Sequence, residues 1–156
     1  MSDITNPTSY FWLSFPELTT SQLYDLLRLR QEVFVVEQNC PYLDADGLDQ
    51  QSLHLLAYAG TRQQLIGYLR CIQPGVKFEE AALGRLVTAE AVRGSGVARQ
   101  MMQEAIELAA RRYPQIGIRI SAQLYLEKFY TDLGFQTVSE PYDEDGIPHI
   151  EMLYAH

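Results

Sequence analysis

The sequence predicts a mixed α/β fold, more closely α+β: a single domain over residues 1–156 in which helices flank a mixed twisted sheet. Three observations carry this. Short β-type apolar runs alternate with helical stripes along the whole chain. A glycine-rich turn, Arg93-Gly94-Ser95-Gly96-Val97-Ala98, joins one apolar run to a strongly helical segment. Ile116, Ile118 and Ile120 alternate as a half-buried strand does.

Taken in order, Tyr10 to Phe15 is aromatic and loosely alternating, a first strand that Pro16 interrupts. Thr19 and Gln22 have capping-box spacing. Leu23, Leu26, Leu27, Val33 and Phe34 then form a stripe that predicts a helix from Thr20 to the Val33 region. The acidic stretch Asp44 to Asp49 reads as a loop. Leu53 to Ala59 and Leu65 to Ile72 read as a hairpin turning around Gly60, Thr61, Arg62 and Gln63, and Pro74-Gly75 ends its second strand. Leu83 to Thr88 is the next strand. Val97, Met101, Met102, Ile106 and Ala109 form a helical stripe that Pro114 closes. Ile116 to Ala122 is a strand, and a short helix over Leu124 to Asp132 ends at Gly134, a left-handed cap. Phe135 to Val138 and Ile150 to Tyr154 are the last strands, with Pro141, Gly146 and Pro148 punctuating the connection.

Composition narrows the function. The chain has 156 residues, enough for one domain with a sizeable core. At 47% hydrophobic and 21% charged, it is composed like a globular protein. The net charge of −8 argues against broad nucleic-acid binding and fits a cationic partner such as an amine. Neither a basic leader nor an apolar run of about 18 residues is present, so no membrane partner is expected. Cys40 and Cys71 are too few for a disulfide scaffold or a four-cysteine zinc site, and are expected as reduced thiols in a cytoplasmic protein. No metal is expected.

The glycine turn is the strongest chemical signal. Small residues there let a ligand reach the backbone, and a helix start presents unpaired N–H groups to phosphate oxygens. The bland alternative is a turn that only starts a helix. The turn reads Arg-x-x-Gly-x-Ala across Arg93, Gly96 and Ala98. About 35 residues later comes Phe129-Tyr130-Thr131-Asp132-Leu133-Gly134-Phe135. In this order the two motifs resemble the GNAT superfamily of N-acetyltransferases. Leu26 to Arg30, Val33 to Tyr42 and Glu144 to Ile150 further resemble its ElaA-like subfamily. One departure is Ala98, where many members carry glycine.

The resemblance implies a GNAT-like fold and acetyl-CoA as acetyl donor to a primary amine of a small molecule or peptide, in a direct ternary-complex mechanism. The donor's pyrophosphate is expected on the amides of Gly94, Ser95, Gly96, Val97 and Ala98, with Arg93 and Arg99 as candidate phosphate partners. Arg99 equally suits a solvated surface. Leu86, Val87 and Thr88 form the strand that members pair with the pantetheine arm, and supply an oxyanion donor. Tyr130 is the expected general acid, since a phenol near pKa 10 is protonated at neutral pH. Its alternative is structural packing. Glu37, His54 and His149 are the candidate bases, with Glu37 and His149 expected to border the amine pocket. Glu32 and Asp44 read as surface charges. A monomer or homodimer is expected. A non-enzymatic acyl-CoA-binding or sensing module is the other reading of the same site.

Overall fold

The computed structural model describes residues 7–60 and 64–155. The expected turn residues Thr61, Arg62 and Gln63 lie outside the described residues. Eight strands form one mixed sheet: β1 Ser9–Ser14, β2 Leu53–Ala59, β3 Gln64–Ile72, β4 Ala81–Thr88, β5 Ile118–Gln123, β6 Gln136–Thr137, β7 Tyr142–Glu144 and β8 Ile147–Tyr154. Their order is β1-β2-β3-β4-β5-β8-β6, and β7 pairs with β8. All pairings are antiparallel except β4 with β5. The α+β class read from the sequence is the one observed.

Each face of the sheet receives a helix. Leu26 and Leu29 of α1, Thr20–Arg30, pack with Leu56, Tyr58, Tyr68 and Val87. Met101, Met102 and Ala105 of α2, Val97–Arg112, pack with the alternate residues Leu55, Ala57, Leu69 and Cys71. The period of two along β2 and β3 assigns the two sets to opposite faces. Gly67 permits the close seat of α2, because a Cβ there would stand 2.8 Å from the Met101 methyl carbon.

α1 starts at the expected capping box: Gln22 N–H donates to Thr19 Oγ1 at 3.1 Å, and Thr19 N–H donates to Gln22 Oε1 at 2.9 Å. It does not end as expected. After Arg30 the chain widens into a π-helical segment, Gln31–Glu37, with five-residue bonds from Gln38 N–H to Val33 O and from Cys40 N–H to Val35 O. Three valines in four residues resist α geometry, since branching at Cβ crowds the preceding turn. The expected helix over Leu124 to Asp132 is also divided, into a 3₁₀ turn at Leu124–Leu126 and α3 at Glu127–Asp132. Gly134 follows α3 with φ 107°.

The final strand starts earlier than predicted, at Ile147, and Pro148 lies within it opposite Asp143. The turn is only Asp145-Gly146, with φ 53° and 83°, the values of a two-residue type I′ hairpin. β7 escaped the sequence reading because all three of its residues are exposed, so it has no apolar alternation.

The acidic loop differs most from expectation. Asp44 is buried, not a surface charge, and Asp49 is buried with it. Arg30, fully buried at the end of α1, donates through Nε to Asp44 Oδ2 at 2.7 Å and through Nη1 to Asp49 Oδ1 at 2.8 Å. Arg70 of β3 donates to Asp46 at 2.8 Å and to Asp49 at 3.0 Å. Arg85 of β4 donates from Nε to Asp44 Oδ1 at 2.8 Å. Three arginines and three aspartates thereby tie α1, the loop, β3 and β4 together.

Removing one member leaves the largely buried cluster one charge out of balance, at a cost of up to about 3–5 kcal/mol. Arg30→Ala is expected to lose that much stability in urea denaturation. Burial alone would raise the Asp49 carboxyl, yet Arg30 and Arg70 hold it below the usual carboxylate range. Asp46 is likewise depressed. A folded pKa below the unfolded one stabilises the fold above the unfolded value, roughly pH 4, and that contribution drains away as pH falls below it. The stability gap between wild type and Asp49→Asn is therefore expected to narrow on titration from pH 6 towards pH 3. A constant gap would mean that the pairing does not depress the carboxyl.

Candidate active site

β4 and β5 run parallel and pair only through Ala81 with Ile118 and Ala82 with Arg119. Beyond Ala82 they diverge, so the β5-facing edge of β4 has no strand partner. A bulge accompanies the divergence. Between Gly84 and Val87, the two residues Arg85 and Leu86 face the single residue Leu69 of β3. Arg85 there adopts φ 54°, a left-handed conformation that costs a non-glycine residue roughly 1–2 kcal/mol. Its bonds to Asp44 help to hold it. Bulges bend a strand and re-aim its groups.

The gap is a cavity of about 610 Å³ lined by Ala82 through Thr88. It follows β4 from the preceding connection, at Lys77 and Phe78, to the glycine turn that succeeds the strand. Eight strand residues span roughly 25 Å. The cavity is thus long enough for an extended ligand lying along the strand, able to bond its free edge as an added strand would.

At the turn, Gly94 and Gly96 both have positive φ, 80° and 93°. This backbone is one that glycine adopts without strain. A Cβ on either would meet no atom within 4 Å, so the turn is open above its backbone. Gln100 N–H makes the first ladder bond of α2, to Gly96 O. The amides of Val97, Ala98 and Arg99 therefore precede the ladder, at the positive end of a 16-residue helix. Ser95 is differently placed: its N–H and its hydroxyl both donate to Val92 O.

Tyr130 of α3 is 8% exposed, lines the cavity and packs edge-on against Phe129 and Phe135. Burial pushes its phenol well above the ordinary value, so it stays protonated at neutral pH. His149 lies on β8, opposite Gln123 of β5 and Tyr142 of β7. Its Nδ1 is 2.7 Å from Ile147 O. A carbonyl only accepts, so Nδ1 carries a proton and Nε2 is the nitrogen left to take one. Nε2 lies 3.1 Å from Glu144 Oε2. Glu37, at the end of the π-helical segment, pairs with Arg93 at 2.9 Å.

Of the residues singled out by sequence, the cavity brings together Glu37, Leu86, Val87, Thr88, Arg93, Gly94, Ala98, Tyr130 and His149. Ser95, Gly96, Val97 and Arg99 belong to the same turn and helix start but do not line it. His54 lies elsewhere, fully buried, with Nε2–H donating to Asp49 O and Nδ1 accepting from Tyr68. Burial pushes its pKa down, so it is a neutral, fully bonded core residue. Sequence reasoning missed Asp46, Arg70, Lys77, Arg85 and Glu144, all on the cavity wall. Arg70 and Arg85 did carry a signal: each interrupts an apolar strand, where a charge demands a buried partner. Among the described residues, no group of three or more His, Cys, Asp or Glu could hold a metal ion. Cys40 and Cys71 are buried free thiols. No helix of the described residues is long and apolar enough to cross a membrane.

A splayed pair of parallel strands, a bulge and a glycine turn at a helix start together form one site along β4. Residues 28–155 match the family model described as an acetyltransferase (GNAT) domain, and the chain belongs to that enzyme family. It is 42% identical over 142 residues to ElaA of Escherichia coli, covering 90% of this chain and 92% of that one. The crystal structure of that protein superposes with a TM-score of 0.88, covering 95% and 99%. An acyl-CoA N-acyltransferase structure from Pseudomonas aeruginosa superposes with a TM-score of 0.87 at 40% identity, covering 94% and 99%. A UPF0039 protein of Synechocystis is 43% identical over 146 residues, 94% of each chain.

Proposed function

We propose that this enzyme transfers an acetyl group from acetyl-CoA directly to a primary amine in a ternary complex. The observation that carries the reading is the unpaired edge of β4, which runs through one cavity from the glycine turn past Tyr130 and His149. The name of the Pseudomonas relative, an acyl-CoA N-acyltransferase, supports an acyl-CoA donor. The buried thiols fit a reducing compartment, the cytoplasm.

In this reading the amides of Gly94, Gly96, Val97 and Ala98 receive the pyrophosphate, and Leu86 to Thr88 pair with the amide-bearing arm. Ser95 acts by shaping the turn, because its donors are committed to Val92. Arg99, in the first helical turn, adds positive charge beside the amides. The amine nitrogen forms a bond to the thioester carbonyl carbon, and the carbon–sulfur bond breaks. A β4 backbone N–H donates to the carbonyl oxygen as it gains charge. The amine loses one proton to Nε2 of His149, directly or through water, with the Glu144 carboxylate 3.1 Å from that nitrogen. Tyr130 gives one proton to the departing sulfur. Glu37 holds Arg93 while the donor is absent, and Arg93 exchanges it for phosphate.

Three measurements test these roles. Ala98 lines the cavity from a helical position, so Ala98→Trp fills the donor site without straining a left-handed residue. A ligand at a hundredfold excess over Kd stabilises its protein by about 2.7 kcal/mol. Acetyl-CoA is therefore expected to raise the melting temperature of the wild type and hardly that of Ala98→Trp. Equal shifts would place the donor elsewhere.

Tyr130→Phe keeps the ring and removes the proton. It is expected to lower kcat about a hundredfold when chemistry limits the rate, with acetyl-CoA affinity unchanged. Wild-type kcat in single-turnover experiments would remove Tyr130 from the reaction.

Glu37→Gln frees Arg93 from its competitor. An exposed pair contributes about 0–1 kcal/mol, so coenzyme A is expected to bind up to about fivefold more tightly by calorimetry at low salt. Weaker binding would assign Glu37 to the donor site itself.

A further inference from the structure

The cavity end remote from the glycine turn holds an ammonium that makes no ion pair among the described residues. Arg30, Arg70 and Arg85 balance Asp44, Asp46 and Asp49 one for one. Lys77, in the connection before β4, lines the same end of the cavity and has no place in that balance. Among the described residues it makes no ion pair, and its ammonium lies 5.5 Å from the Phe78 ring. Two of the arginines also keep unused donors. Arg70 is 1% exposed and lines the cavity, yet its Nε–H is buried without a hydrogen-bond partner. Arg85 commits Nε and Nη2 to Asp44 and Asp46 and retains Nη1. Partial desolvation, with Arg85 and Arg70 close by, pushes the Lys77 pKa down, although the carboxylates of Glu144 and Asp46 are near enough to oppose this. An added anion would relieve that repulsion.

We propose that the acceptor is a small amino-acid-like molecule whose own carboxylate binds at Lys77, with Arg85 as a neighbouring donor, while its amine faces the acetyl group. This deepens the transferase reading and rests on it. Among the described residues Lys77 is a single ammonium without an ion pair, which one carboxylate matches and a phosphate dianion exceeds. The span of β4 also separates Lys77 from the glycine turn, so the donor's phosphates and the acceptor's carboxylate occupy different ends. The net charge of −8 hides this, because it sums over the whole chain and the positive field is local.

The test uses matched sets: the standard L-amino acids, their carboxamides, and the amines left when the carboxyl group is removed. Each is measured by thiol release from acetyl-CoA. In parallel, each is titrated with coenzyme A present and followed by melting temperature. Carboxylates are expected to exceed their carboxamides about tenfold or more in kcat/KM, as charge-assisted bonds in a partly enclosed site allow. Lys77→Ala is expected to bring the ratio close to one with acetyl-CoA affinity unchanged, and Lys77→Arg to restore much of it. Carboxamides or plain amines that serve equally well overturn the proposal and leave the transferase reading intact. So does a preference that survives in Lys77→Ala. If no compound releases thiol while amino acids alone raise the melting temperature, the carboxylate site stands and the transferase reading falls. If neither signal appears, both fall.

Discussion

Two residue pairs, Ala81 with Ile118 and Ala82 with Arg119, are all that join β4 to β5, and the site exists because the pairing stops there. A buried strand edge with nothing to bond is unfavourable, since its N–H and C=O groups need partners. Continuing the ladder would satisfy them and close the cavity. The bulge at Arg85-Leu86 works against that outcome by bending β4 while it remains paired to β3. The same divergence brings distant segments to one place: a turn after β4, a tyrosine from α3, and a histidine from a hairpin near the chain's end.

The bulge needs support, and the ionic cluster supplies it. Arg85 holds a left-handed backbone conformation while its guanidinium grips Asp44, which Arg30 also grips from the end of α1. Burying four of the six charges, Arg30, Arg70, Asp44 and Asp49, is expensive before they are paired. Here the near-complete pairing offsets that cost and fixes the loop Asp44 to Asp49 against the sheet. The brace reaches the cavity wall through Arg70 and Arg85, so the residues that stabilise the loop also shape the cavity end remote from the glycine turn. The π-helical segment has a comparable double role. It carries Glu37 to Arg93, and its following turn brings the Cys40 thiol to within 3.3 Å of Asp145 O in the β7–β8 hairpin. The cavity is bounded where these two segments meet.

Much of this was legible in the chain. β2, β3, β4 and β5 announced themselves by apolar alternation, and α2 by its stripe and preceding glycines, because burial of one face imposes a period on the sequence. The site residues Arg93, Gly94, Ala98, Tyr130 and His149 stood in short motifs whose spacing resembles a known family, and the fold places them around one cavity. β7 was invisible because its residues are exposed and its pairing is entirely through the backbone. The π-helical segment was hidden because valines and phenylalanine make an apolar stripe that suits an ordinary helix equally well.

By itself, then, the sequence determined the class of fold, the two helices that cover the sheet, and the glycine turn before α2, since periodicity and glycine conformation are local properties. Tertiary structure alone decided which charges meet. Asp44 is separated from Arg30 by 14 positions and from Arg85 by 41, and Glu37 from Arg93 by 56. No local pattern records such pairings. Whether a carboxylate is solvated or buried, and whether an ammonium such as Lys77 is matched or left over, depends on what the folded chain brings beside it.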